Sequence, residues 1–382
     1  MLPHNWRVFK FTGIIFGGML LLLAGCTSVY QGSEAQSPPR EWSLTNEVVQ
    51  PVSVKSYQPK SLSARPVVKT NPAPAVHPIP ASPKISPPAP ILTWTSLDRW
   101  AKENKIASPR KVANSPVASY AVSSRRGTMV LEIGSREATW NGLTMHLGFA
   151  PEIIDDQIFV YGLDLQKNLE PLLLDDPLTF GTNRVLVLDP GHGGMNVGTH
   201  SLTDGRFEKE FTLDWARRIQ TLLATNGWKV FLTRTNDSDL ALSNRVNFAE
   251  AHHADLFVSL HFNSAAPDKI QNGLETYCLT PTGMPSTLTR GYSDLWSDHY
   301  PNNAFDVENL QFAVRLHAAV LHASGEEDRG IRRARFMGVL LGQRRPAVLI
   351  EGGYLSNTRE TEKIESAEFR EKLAEAVANA LK

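Results

Sequence analysis

Apolar residues fall along this chain in two rhythms, and the rhythms assign most of its elements. In the second half, the short apolar run at 185–188 is of the kind expected for a strand covered on both faces, and further strands are predicted at 229–233, 256–261, 274–279 and 347–351. Between them, apolar residues recur every three or four positions, as on a helix with one buried face. The stretch 208–223 turns Phe211, Ile219, Leu222 and Leu223 inward and is closed by Asn226-Gly227. Two further helices are predicted over 243–251 and 307–323, and 366–381 aligns Phe369, Leu373, Val377 and Leu381 on one face. Strands alternating with helices predict an α/β layered domain over 178–382, its mainly parallel central sheet flanked by helices.

A small α+β segment, 93–177, precedes it. Residues 96–105 predict a helix capped by Ser96 with Trp100 on its apolar side; 127–149 predicts short strands broken at Gly134-Ser135 and Asn141-Gly142. One more strand is expected within 153–161 and a short helix over 163–173. The segment holds no group of histidines, carboxylates or cysteines with metal-ligand spacing, so it reads as a structural or docking module, with Trp140 and Met145 in its core.

The pattern changes again towards the N-terminus. Arg7 and Lys10 precede an apolar run at 11–25 that is short for a membrane span, the layout of an export signal over 1–25. Leu23-Ala24-Gly25-Cys26 at its end resembles the bacterial lipoprotein signal, which implies acylation of Cys26 and a membrane-anchored exported protein; a plain secretory signal or a single anchor helix is the alternative. Thr27 after the cysteine implies, by the same resemblance, the outer membrane facing the periplasm. From 26 to 92 the chain is rich in proline, serine and alanine, a linker able to carry a domain about 45 Å away as a coil or roughly 190 Å as polyproline II.

Charge and cysteine content narrow the partners. Lysine plus arginine and aspartate plus glutamate each number 39, which offers no electrostatic footprint for nucleic acid and does not favour binding to an acidic membrane. With Cys26 carrying lipid, Cys278 is left without a disulfide partner in its chain and reads as a buried structural thiol.

The candidate chemistry gathers at strand ends. Asp189-Pro-Gly-His-Gly-Gly ends the strand at 185–188 and puts His192 on a turn whose glycines, Gly191, Gly193 and Gly194, permit positive φ and close approach of the backbone. In open α/β sheets such carboxyl-end loops bind ligands. Three other polar residues fall on the same edge. His261 ends the strand at 256–261, Glu208 opens a helix where the dipole favours a carboxylate, and Glu351 ends the strand at 347–351 before Gly352-Gly353. Two histidines and one carboxylate make a three-ligand set that zinc accepts, with a fourth position open. A second carboxylate, Glu351, would take a proton from the attacking water and return it to a leaving amine. Spacing alone does not require these residues to meet.

A resemblance adds to this. Asp189-Pro-Gly-His-Gly-Gly, Phe207-Glu-Lys-Glu, Leu232-Thr-Arg-Thr, Arg245-Val, Ser259-Leu-His-Phe-Asn, Gly273-Leu-Glu-Thr, Asp328-Arg-Gly and Val348-Leu-Ile-Glu-Gly-Gly-Tyr-Leu-Ser-Asn stand in the order seen in zinc-dependent N-acetylmuramoyl-L-alanine amidases. The resemblance covers about 183–382. It implies a six-stranded α/β fold and hydrolysis of the amide between N-acetylmuramic acid and L-alanine in peptidoglycan. It also implies one zinc held by His192, Glu208 and His261, with Glu351 as the catalytic glutamate, and it sets aside Glu210, two residues from Glu208. Glu275 is read either as lining the site or as structural. The other histidines, among them His252, His253, His317 and His322, are read as surface or packing residues, and Asn263 as shaping the loop after His261.

One stretch departs from the family. Between Leu279 and Val307 lies a polar and aromatic insertion, read first as a substrate-contacting loop and second as a lid that a protein activator displaces. The expected function is a lipid-anchored wall amidase acting in turnover, recycling or cell separation. The alternatives are a non-enzymatic peptidoglycan-binding or regulatory protein on the same fold, and a different zinc peptidase of wall peptides.

Overall fold

The computed structural model describes residues 92–114, 117–179 and 184–382; the expected signal at 1–25, Cys26 and the expected linker up to residue 91 lie outside the described residues. A short strand, β1 (Trp94–Ser96), runs into α1 (Leu97–Glu103), where the Ser96 hydroxyl accepts the Arg99 backbone N–H and Leu97, Trp100 and Ala101 are buried. An antiparallel meander follows, made of β2 (Arg110–Ala113), β3 (Ser119–Ser124), β4 (Gly127–Glu132), β5 (Glu137–Trp140) and β6 (Leu143–His146). The single strand expected within 153–161 is a hairpin, β7 (Glu152–Ile154) and β8 (Gln157–Tyr161), because Asp155 and Asp156 both take positive φ and reverse the chain. β8 also pairs with β1. Three helical pieces come next: α2 (Gly162–Asp164), a π turn at Leu165–Leu169 and α3 (Glu170–Leu173). Trp140 and Met145 are buried.

The second part begins with β9 (Arg184–Pro190), α4 (Glu208–Leu223), β10 (Trp228–Leu232), α5 (Leu242–Ala251), β11 (Leu256–Asn263) and β12 (Leu274–Cys278). It continues through α6 (Asp306–Ser324), β13 (Asp328–Arg333), α7 (Gly338–Leu341), β14 (Ala347–Tyr354), α8 (Thr358–Glu365) and α9 (Ala367–Ala380). Six strands lie in the order β10-β9-β11-β14-β12-β13. The first four are parallel; β12 runs antiparallel to β14, with β13 parallel to β12, so the sheet is mixed. Side-chain alternation divides the core. Leu186, Leu188, Val258, Leu260, Val348 and Ile350 pack with Phe211, Leu316 and Leu373 from α4, α6 and α9. Val187, Phe257, Ala347 and Leu349 pack with Ala249, Val339 and Leu340 from α5 and α7 on the other face. Burial on both faces explains why apolar residues occupy successive positions at the starts of β11 and β14. Cys278 is buried and free. No helix among the described residues is long and apolar enough to cross a membrane.

The meander does not stop at its own edge. β6 pairs with β13 through Ile331 and Met145, so one eleven-stranded sheet runs from β10 to β2. One backbone pair would hold such a joint weakly, and Asp328 reinforces it. Its carboxylate accepts the backbone N–H groups of Thr144 (2.7 Å) and Gly330 (2.8 Å) and pairs with buried His317 (2.9 Å), whose other nitrogen meets the Thr276 hydroxyl. Burial pushes the Asp328 carboxyl up, but these bonds outweigh it and hold it below the usual range. The insertion is fastened to the same region. Arg136 of the meander donates to the carbonyls of Pro285 and Ser286, and Arg335 donates to those of Pro281 and Met284 while pairing with Asp294.

Replacing Asp328 by alanine strands the buried His317 and two backbone donors. We expect a loss of about 2–4 kcal/mol in denaturant unfolding and faster amide exchange at Thr144. A change within about 0.5 kcal/mol would show that the joint rests on other contacts.

Candidate metal centre

β9 delivers His192 one turn beyond its last residue, and the delivery is held from beneath. Asp189, 1% exposed, accepts from Arg245 (2.6 Å), the Thr233 hydroxyl (2.6 Å) and the Ser259 hydroxyl (2.8 Å). Arg245 also donates to the carbonyls of Pro190 (2.8 Å) and His192 (2.7 Å). Arg234 takes the carbonyls of Pro190 (3.0 Å), Gly191 (2.8 Å) and, in the first turn of α4, Lys209 (2.8 Å). Burial and the neighbouring Arg245 push the Arg234 guanidinium down to about 10. Thus the loop carbonyls, which have no ladder to join, are satisfied by two arginine forks, and His192 can sit at φ +63°.

Neighbouring strands bring in the other groups. β11 lies beside β9, so His261 emerges next to the loop; Glu351 of β14 is the cross-strand neighbour of His261, and Glu275 of β12 is the neighbour of Glu351. Because β12 is antiparallel, its first residues reach the same edge as the last residues of the parallel strands. Glu208 opens α4. Glu210 accepts the Phe207 N–H (3.1 Å) as part of the helix cap, which leaves Glu208 to turn inward.

Glu208 lies between the two histidines. Its Oε2 is 3.0 Å from His192 Nε2 and its Oε1 3.0 Å from His261 Nδ1, while the backbone N–H groups of Thr199 (3.1 Å) and Phe262 (3.0 Å) donate to the same two oxygens. The histidine rings stand 4.8 Å apart at 78°. His192, Glu208 and His261 each offer one ligand atom, and these lie within 4.8 Å of one another. Asn196 fixes the first ring: its Oδ1 accepts the His192 Nδ1–H (2.8 Å), so the Nε2 lone pair faces the carboxylate. A lone pair and a carboxylate at 3.0 Å repel unless a proton or a cation lies between them, so this donor set fits a metal ion.

Two glycines make room. A Cβ at Gly191 would stand 2.4 Å from His261 Nε2, and one at Gly198 would stand 2.5 Å from Glu208 Oε2 and 2.7 Å from His192 Cδ2.

The carboxylates differ in their surroundings. Burial pushes Glu208 up, but the two imidazoles facing its oxygens prevail and hold it at about 2. Glu351 has no such help: burial, opposed by His261 and reinforced by Glu208, raises it to about 7, and its buried Oε2 has no hydrogen-bond partner among the described residues. Glu275 is buried and fully engaged with Arg329, Arg332, Tyr277 and Asn263, which favours the structural reading for it. A cavity of about 330 Å³ opens over His192, Glu208, His261 and Glu351, with Arg290 of the insertion in its wall. The histidines remain reachable, at 21% and 19% side-chain exposure, so the insertion does not close over them.

Several partners were not expected from the sequence. Arg234 and Arg245 stood in quoted motifs without a role; Asn196 follows His192 by four residues in an irregular loop and carries no periodic signal. His317 is a buried packing residue, and His252 stacks on Phe248.

Gly198→Ala should lower zinc affinity at least tenfold in a calorimetric titration while the chain still folds; unchanged affinity would mean that Glu208 is not the group that matters. Glu351 yields a second test in the metal-free protein. Its folded-state value is raised, so the stability it contributes is full below the ordinary 4.5 and is lost as pH rises through about 7. Glu351→Gln should therefore unfold later than the unsubstituted chain at pH 8, by roughly 2–3 kcal/mol, and show no such advantage at pH 4.

The N-acetylmuramoyl-L-alanine amidase family profile matches residues 186–382. Amidase LytC of Bacillus subtilis is 30% identical over 192 residues, covering 50% of this chain and 34% of LytC. Amidase AmiC of Escherichia coli O6:H1 is 32% identical over 246 residues, covering 57% of this chain and 58% of AmiC. This chain therefore spans about a third and somewhat over half of the lengths of these two relatives. Among solved structures, the catalytic domain of amidase CwlV from Bacillus (Paenibacillus) polymyxa is 31% identical, with a TM-score of 0.43, covering 52% of this chain and 96% of CwlV's.

Proposed function

This chain belongs to the N-acetylmuramoyl-L-alanine amidase family, and from that premise we propose that it hydrolyses the amide joining N-acetylmuramic acid to L-alanine in peptidoglycan. The observation that carries the proposal is the unpartnered Glu351 Oε2 beside three convergent ligand groups. A protein that only binds wall has no use for a buried carboxylate without a partner, which costs free energy.

His192, Glu208 and His261 would hold one zinc ion, which when bound polarises the attacked carbonyl and makes water more acidic. The chain's own residues do the rest. Asn196 keeps the His192 ring in the tautomer that presents Nε2. The Thr199 and Phe262 amides hold the Glu208 carboxylate in a fixed plane. Glu351, ionised, takes a proton from the attacking water at Oε2 and delivers it to the leaving amine of L-alanine, so one carboxylate serves both transfers.

In the same reading, residues 1–25 are a signal and Cys26 carries lipid. The linker to 92 spans from an outer membrane towards the wall, the 93–177 segment supports the 178–382 amidase domain, and the protein works facing the periplasm. Several acyl chains would be needed for stable attachment.

The full chain should release stem peptides beginning with L-alanine from purified peptidoglycan, and a chelator should abolish release. Glu351→Gln should keep about one zinc per chain and lose on the order of 10²–10⁴ in kcat. The rate should fall about tenfold per pH unit below the Glu351 value. A cation at the three ligands draws that value down, so the acid limb lies at or below about 7. No products from the zinc-loaded chain would overturn the proposal. Fragments cut within the stem would instead support a zinc peptidase.

A further inference from the structure

The insertion brings one cation into the catalytic cavity, and the proposed reaction gives it no task. Arg290 stands in left-handed backbone, at φ +47°, on a loop fastened by Arg136 and Arg335. Its guanidinium lies over the rings of Phe336 (5.3 Å) and Tyr277 (6.0 Å), and one of its nitrogens donates to Asn263 Oδ1 (3.2 Å). Asn263 is in turn fixed by donating to buried Glu275 (2.8 Å). Stacking on ring faces leaves the N–H edge of a guanidinium free, and that edge is the part that matches a carboxylate in two parallel bonds.

The neighbouring arginines are spoken for. Arg329 and Arg332 pair with Glu275, and Arg335 pairs with Asp294. Arg290 has no carboxylate within ion-pair distance among the described residues, and its Nε and Nη1 make no hydrogen bond there. Arg290 is exposed, so its charge is stable in water and open to a ligand. It shares the cavity wall with His192, Glu208, His261 and Glu351.

We propose that Arg290 is a specificity-determining residue: its guanidinium takes a free carboxylate on the peptide side of the scissile amide. This rests on the amidase reading. In a wall stem the residue after L-alanine is a glutamate joined through its side chain, which leaves its α-carboxylate free or, in some walls, amidated. One extended residue spans about 3.3–3.6 Å, so this carboxylate lies within roughly two residues' length of the leaving nitrogen. An amide at that position offers an oxygen but no charge, and loses the charge-assisted pair.

The test uses the full zinc-loaded chain and two probes, N-acetylmuramoyl-L-alanyl-γ-D-glutamyl-L-lysinamide and its D-isoglutaminyl counterpart, in both of which the side-chain carboxyl is amide-bound, so that they differ only in that α-carboxylate. The chain should cleave the acid with kcat/KM about tenfold above the amide. Arg290→Gln should lose most of that preference through KM on the acid, leaving the amide within about twofold, and Arg290→Lys should keep part of it. Equal rates on both probes, or an equal fall on both in Arg290→Gln, would overturn the proposal. Calorimetry on Glu351→Gln, which needs no turnover, separates the two readings. If neither probe is cut, the amidase proposal fails, but tighter binding of the acid that disappears in the Arg290→Gln, Glu351→Gln double variant upholds the role of Arg290. Equal binding of acid and amide rejects it.

Discussion

A carboxylate with both oxygens committed sits where three chain segments meet, and the remainder of the site is arranged around it. Glu208 is 4% exposed, and it can stay ionised there only because two imidazoles and two backbone amides face it. Those four groups come from three places. His192 needs the β9 loop, His261 and the Phe262 amide need the end of β11, and the Thr199 amide needs the long connection into α4. The helix itself is fixed by Phe211, Trp215, Ile219 and Leu223, which are buried against the sheet. Packing of α4 thus sets the position of Glu208 to within hydrogen-bond tolerance. The arginine forks of Arg234 and Arg245 do the same for the His192 loop.

Across the strands the electrostatics change in order. His261, Glu351 and Glu275 occupy one cross-strand row, yet only Glu351 lacks a partner. Glu275 is paired with Arg329 and Arg332 and Glu208 faces the histidines, whereas Glu351 is buried without such a partner, and burial, opposed by His261 and reinforced by Glu208, raises it. A carboxyl held near 7 in a closed row is well suited to exchange protons at neutral pH, and that is an arrangement of partners rather than a property of glutamate.

Much of this was legible in the sequence where one physical rule dominates. An unbroken apolar run marked β9 because both faces of the sheet are covered, apolar-rich stretches marked β11 and β14, and the helix periodicity of 208–223 matched α4 at both ends. His192, Glu208, His261 and Glu351 could be nominated because each falls at a strand or helix end on one edge, and the structure brings them together. β13 was invisible for the opposite reason. Asp328-Arg-Gly-Ile-Arg-Arg carries a single large apolar residue, and its charges are satisfied largely by groups distant in sequence, among them Thr144, His317, Glu275 and the Lys167 carbonyl. The joining of the two sheets escaped notice with it. The antiparallel turn of β12 could not be seen either, since a buried strand has the same composition in both directions. Arg290 lies in a segment without periodicity, and its place in the cavity wall with Glu351 follows from how the insertion is tied down.

The account stands on Glu208 joining two histidines into a metal centre, and zinc binding by the full chain tests it most directly. Calorimetry with elemental analysis should find one zinc per chain, and Glu208→Gln should lose affinity by at least about a hundredfold, since the amide retains the shape but neither the charge nor the second acceptor oxygen. A chain that takes up no zinc, or a Glu208→Gln variant that binds it as tightly as the unsubstituted protein, would contradict the account.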